Sequence, residues 1–73
     1  MSRLIPLHWK QIEKVILHYE CRFIGQEGSH RKYWRDDFTR PIILPAYKIV
    51  PKFIIAQIIK MLKVSREDFY KRI

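Results

Sequence analysis

Apolar residues recur at helical spacing in two stretches of this chain, and shorter β-type runs lie between them. Over Leu7 to Glu20, residues Trp9, Ile12, Val15, Ile16 and Tyr19 fall on one face, with Lys10, Glu13 and Lys14 opposite. That spacing predicts a first helix, with Pro6 at or just before its start. Arg22–Glu27 reads as a strand weakened by Gly25, and His30–Arg35 as a second strand. Asp36–Thr39 suits a hairpin loop, and Pro41–Pro45 forms a third strand whose end prolines limit its length. The loop Ala46–Val50 then leads to Pro51, which can begin the next helix. From Lys52 to Lys63, residues Ile55, Ile58, Ile59 and Leu62 repeat at i, i+3, i+4 and i+7, widened by Ile54 and Met61. Ser65 suits the N-cap of a short last helix, with Glu67 and Asp68 in its first turn and Phe69 and Ile73 as anchors.

This order predicts a single α+β domain over residues 1–73: a three-stranded antiparallel meander with helices on one face and the other face open. A chain of this length buries only about 60% of its unfolded surface, which leaves no room for a deep cleft between domains. Any chemistry then sits on an open surface.

Charge narrows the partner. Fifteen Lys and Arg against seven Asp and Glu give a net charge of +8 and a pI of about 10.0. Such a balance favours a nucleic acid, or else an acidic protein that neutralises it. Cys21 is the one cysteine, so it forms no disulfide within the chain and no Cys-based zinc site. The stretch Met1–Pro6 holds no apolar core of signal-peptide length, and no run approaches the roughly 18 residues of a membrane span. These features predict a soluble, cytoplasmic, reduced protein.

Candidate chemistry concentrates at Gly28–Ser29–His30. Both glycines of the chain, Gly25 and Gly28, precede His30 by no more than five residues. They are read as structural, relaxing a turn or a bulge. Histidine titrates near neutral pH, so His30 in a basic, aromatic strand is suited to proton transfer beside a polyanion. Alternation separates His30, Lys32 and Trp34 from Arg31, Tyr33 and Arg35, and each set carries an aromatic, so alternation alone leaves both facings open. If the first set faces solvent, Trp34 can stack on an unpaired base. His8 lies near the apolar arc of the first helix and reads as a packing residue, whereas His18 reads as solvated. Asp36–Asp37 reads as a turn pair rather than a metal site. Ser29 has no adjacent acid to complete a triad, which leaves it a positioning or phosphate-binding role.

The chain resembles the HicA family of bacterial and archaeal toxins, small mRNA interferases of toxin–antitoxin pairs. The likeness rests on Gly28–Ser29–His30 at the start of the second strand and on a third strand ending Ile43–Leu44–Pro45. The isoleucine-rich helix Phe53–Leu62, the ending Ser65–Phe69 and the opening Pro6–Lys10 extend it over nearly the whole chain. The resemblance implies the double-stranded-RNA-binding type of fold, α-β-β-β-α, here with a short extra C-terminal helix. It also implies ribosome-independent cleavage of mRNA, inhibition by a HicB-like antitoxin, and a catalytic role for the histidine of the motif, His30. The sequence departs from the family pattern in three places. Tyr47–Lys48 follows Pro45–Ala46 where many members place a histidine, Gln26–Glu27 precedes the motif where members often place cations, and Glu20 replaces a glycine that often ends the first helix.

The resulting expectation is a toxin of a type II toxin–antitoxin system, an endoribonuclease with no metal and no cofactor. In such a mechanism the 2′-hydroxyl of RNA attacks the adjacent phosphorus, with His30 as base or acid and cations stabilising the developing charge. Ser29, Arg31, Lys32, Trp34, Arg35 and Lys48 are the expected RNA contacts. Two alternatives are a non-catalytic RNA-binding module of the same fold and a protein-interaction module using Leu17 and the second helix.

Overall fold

The computed structural model describes residues 4–73; residues 1–3, which include part of the stretch read above for a leader, lie outside them. The chain runs α1 (Trp9–His18), β1 (Arg22–Glu27), β2 (His30–Trp34), β3 (Ile42–Pro45), α2 (Lys52–Leu62) and α3 (Arg66–Lys71). The strands form one antiparallel sheet in the order β1-β2-β3. This is the α-β-β-β-α arrangement that the spacing predicted, with the extra helix in place. No described helix is long and apolar enough to cross a membrane.

α1 starts later than its apolar pattern because the preceding residues have other partners. Leu7 bridges Val50, whose amide donates to the Leu7 carbonyl at 2.7 Å. His8 is the N-cap rather than a packing residue: its Nδ1 accepts from the Lys10 amide at 3.1 Å, while its own amide donates to Gln11 Oε1 at 3.2 Å. This reciprocal pair satisfies two amides that the first turn leaves without helical partners.

Both long helices end with a non-glycine residue in the left-handed region. Glu20 has φ 68° and Lys63 has φ 61°. At α1 the Glu20 amide donates to Leu17 O (3.1 Å) and the Cys21 amide to Ile16 O (3.3 Å), the paired bonds of a Schellman ending. The ending forms without glycine, at the steric cost that a Cβ carries there.

The core lies between the sheet and the helices. Ile12, Val15 and Ile16 of α1 and Ile55, Ile58, Ile59 and Leu62 of α2 cover Tyr33, Ile42 and Leu44, with Phe69 of α3 sealing one end. Each such side chain contributes about 1.5–3 kcal/mol by leaving water. Ser65 caps α3 through the Asp68 amide at 3.0 Å. The Tyr70 hydroxyl donates to Ile5 O at 3.1 Å, tying that helix to the amino-terminal segment.

Arg35 joins two helix ends. Its Nη1 donates to Tyr19 O at 3.0 Å and its Nη2 to Leu62 O at 3.2 Å, while Nε donates to Asp37 at 2.5 Å. A cation is favourable where the carbonyl ends of α1 and α2 converge. In return, the Arg35 guanidinium holds the Asp37 carboxyl down to about 2.

Candidate nucleic-acid interface

The site is built by a tight turn between β1 and β2. Glu27 pairs with His30, so Gly28 and Ser29 are the two loop residues. Gly28 has φ 57° while Ser29 is not left-handed, the pattern of a II′ hairpin turn with glycine first. A bulge between Phe23 and Gly25 shifts the register by one residue. Gln26 thereby opposes Arg31, and Glu27 opposes His30; a one-residue slip of this kind exchanges sheet faces. Gly25, at φ 155°, belongs to this bulge rather than to the turn.

Burial settles the two facings that alternation left open. Tyr33 is fully buried beneath the helices, so His30, Lys32 and Trp34 lie on the open face. His30 is exposed at the first position of β2 and pairs with Pro45 on its other side. The Ser29 carbonyl accepts from the Ala46 amide at 2.7 Å, which brings the loop bearing Tyr47 and Lys48 against the turn. Lys48 is exposed and has no acidic partner within 4.0 Å among the described residues.

Lys32 follows His30 along the open face, with Ile43 opposite it on β3. Its ammonium lies 2.6 Å from Glu27 Oε1. That hydrogen bond, supported by the Lys32 charge and by His30, holds the Glu27 carboxyl below its ordinary value. Trp34 is half-buried, edge-on to Phe38 at 6.3 Å, and about 13 Å along the strand from His30.

Two expected RNA contacts are held elsewhere. Arg31 points under the sheet, where Nη2 pairs with Glu13 of α1 at 2.9 Å and Nε donates to the Tyr33 hydroxyl at 3.0 Å. Its guanidinium also lies 4.2 Å from the Phe23 ring centre and 5.0 Å from that of Trp9. Arg35 is engaged by the helix ends. Neither shares the open face with His30. No sequence signal marked Glu13 as a neighbour of this region or Gln26 as a partner of Arg31, because these groups become adjacent only when α1 packs and the bulge sets the register.

The other acidic and imidazole groups lie apart. Asp36 pairs with Arg22 at 3.1 Å, and Asp37 with Arg35 and Lys63. His18 is exposed beside Tyr19. Among the described residues, no three His, Cys, Asp or Glu side chains are grouped to hold a metal ion. A cavity of about 300 Å³ lies between β3 and α2, lined by Arg40, Pro41, Ile43, Gln57, Ile58 and Met61, none of them a candidate site residue. His30 therefore lies on an open surface, on the same sheet face as Lys32.

Comparison with known protein families matches residues 9–64 to the family described as the HicA toxin of bacterial toxin–antitoxin systems. The match runs from the start of α1 past the end of α2 and includes the Gly28–Ser29–His30 turn. No curated protein and no solved structure matches the chain. With its α-β-β-β-α fold and a family match over most of its length, the chain belongs to the HicA toxin family of bacterial toxin–antitoxin systems.

Proposed function

We propose that this toxin is an endoribonuclease of a type II system that cleaves mRNA without a metal ion, with His30 as its proton-transfer group. The observation that carries the reading is the exposed His30 immediately after a two-residue turn, on the same open sheet face as Lys32. RNA supplies its own nucleophile. As base, His30 takes the proton of a 2′-hydroxyl while that oxygen bonds to phosphorus and the bond to the 5′-oxygen breaks. The departing 5′-oxygen receives a proton from water, leaving a 2′,3′-cyclic phosphate and a 5′-hydroxyl. As acid, His30 protonates the leaving 5′-oxygen instead, and water takes the proton of the 2′-hydroxyl. Lys32 and Lys48 offer charge to the phosphate as it becomes more negative. Ser29 and Trp34 complete the proposed RNA contacts, Trp34 by stacking on a base further along the strand. A HicB-like antitoxin is the proposed protein partner, and covering the open face would block the site.

The test incubates wild type and His30→Ala with single-stranded RNA in EDTA. Wild type yields cyclic phosphate ends, and the variant loses about 10²–10⁴-fold in rate. Equal cleavage by a correctly folded His30→Ala would falsify the catalytic assignment. RNA binding by wild type without cyclic phosphate ends would instead mark a non-catalytic RNA-binding module.

A further inference from the structure

The turn that carries His30 is tied down at both of its carbonyls. Ser29 O accepts from the Ala46 amide at 2.7 Å, and Gly28 O accepts from Gln26 Nε2 at 2.8 Å. The other end of the same carboxamide, Gln26 Oε1, accepts from Arg31 Nη1 at 2.8 Å. Arg31 is anchored in turn on Glu13 of α1 and on the Tyr33 hydroxyl. A continuous hydrogen-bonded chain thus runs from α1 through the sheet to the peptide two residues before His30.

The Gly28 carbonyl belongs to the central peptide of the turn. Types I′ and II′ differ by a flip of that peptide, and a flip to I′ would force Ser29 to positive φ. A bond to the Gly28 oxygen opposes the flip and so fixes where the next residue points. The Gln26 amide can make this bond only because the Gly25 bulge places Gln26 opposite Arg31; an unbulged ladder would place it opposite His30.

We propose that Gln26 and Arg31 are positioning residues, which hold the Gly28–Ser29 peptide, and through it His30, in the orientation that meets RNA. The proposal rests on the reading of His30 as the catalytic group. It gives Arg31, which follows the motif and resembles a phosphate contact, a different task. Its charge is spent on Glu13, and its side chain is only 20% exposed. The carboxamide of Gln26 suits the link because it accepts at one end and donates at the other. A carboxylate cannot donate to Gly28, and a lysine cannot accept from Arg31.

The primary variant is Gln26→Met, which keeps the length of an exposed side chain and removes both bonds. A second variant, Gln26→Glu, keeps the Arg31 contact and loses only the bond to Gly28. Cleavage of a single-stranded RNA should fall in both by about 10- to 100-fold in kcat, with KM within about twofold, as misplacement of a reacting group implies. Melting temperature should stay close to that of wild type. Backbone NMR of the same variants should show exchange broadening at Ser29 and His30 that wild type lacks. RNA binding measured in the His30→Ala background should keep its salt dependence when Arg31→Gln is added, whereas a phosphate contact would lower that slope by about 0.7. An unchanged kcat in Gln26→Met, a rigid turn in that variant, or a lowered slope in Arg31→Gln overturns the proposal. Because the NMR readout needs no catalysis, failure of the positioning chain is distinguishable from failure of the assignment of His30 as the catalytic group, which full activity of His30→Ala reveals.

Discussion

The Lys32 ammonium lies 2.6 Å from the Glu27 carboxylate, and Glu27 is the residue paired with His30 across the β1–β2 hairpin. The pair places an anion at the mouth of the proposed RNA site and occupies the cation that follows His30 on the open face of β2. Exposed pairs of this kind stabilise a fold little. Their larger effect here is on the partner. Glu27→Gln should leave stability nearly unchanged and tighten RNA binding several-fold. The salt dependence should steepen by about 0.7 as Lys32 gains a phosphate. Fluorescence anisotropy with single-stranded RNA over a salt series, in the His30→Ala background, checks both values.

Arg35 behaves as a fold residue in this structure. Arg35→Met leaves the Tyr19 and Leu62 carbonyls without the guanidinium donor and removes one of the two cations paired with Asp37. Hydrogen bonds to a charged group imply a loss of about 2–3 kcal/mol, read as a shifted urea midpoint. The salt slope of RNA binding should not change. A slope reduced by about 0.7 would return Arg35 to the RNA contacts.

Tyr33 supplies an alkaline signature. Burial, reinforced by its hydrogen bond to Glu13, pushes its hydroxyl up to about 12, above the ordinary 10.0. The folded-state value is the raised one. The associated stability is therefore complete below pH 10 and lost as pH rises through about 12. Ultraviolet titration should show this tyrosine ionising late, together with unfolding, among the four tyrosines of the chain. In Tyr33→Phe the late step disappears, and stability at neutral pH falls by about 1–2 kcal/mol because Glu13 loses a donor.

The left-handed Glu20 offers a stabilising change. Glu20→Gly relieves the Cβ strain at φ 68° while keeping the backbone bonds of the helix ending. A net gain of about 1 kcal/mol is expected, a rise of about 4–8 °C in Tm by differential scanning calorimetry. Lys63→Gly should gain less, since Lys63 also pairs with Asp37 at 3.3 Å.

Much of this protein is legible along the chain, and the legible part is local. The i, i+3, i+4, i+7 pattern from Ile55 to Leu62 names the four residues that α2 buries, because helical periodicity depends only on spacing. Ser65 as a cap, prolines at the limits of β3 and Gly28 in the turn are likewise set by backbone geometry within a few residues. The position of His30 at the start of β2 follows from the same local rules. The tertiary structure decided which cations are free to meet a ligand. Arg31, Lys32 and Arg35 look alike in sequence, yet Arg31 is claimed by Glu13 eighteen residues away and Arg35 by Leu62 twenty-seven residues away. The facing of Tyr33 and Trp34 also had to await packing. The reason is physical: periodicity is a property of neighbours along the chain, whereas the partner of a charge is whatever packing brings within hydrogen-bond reach.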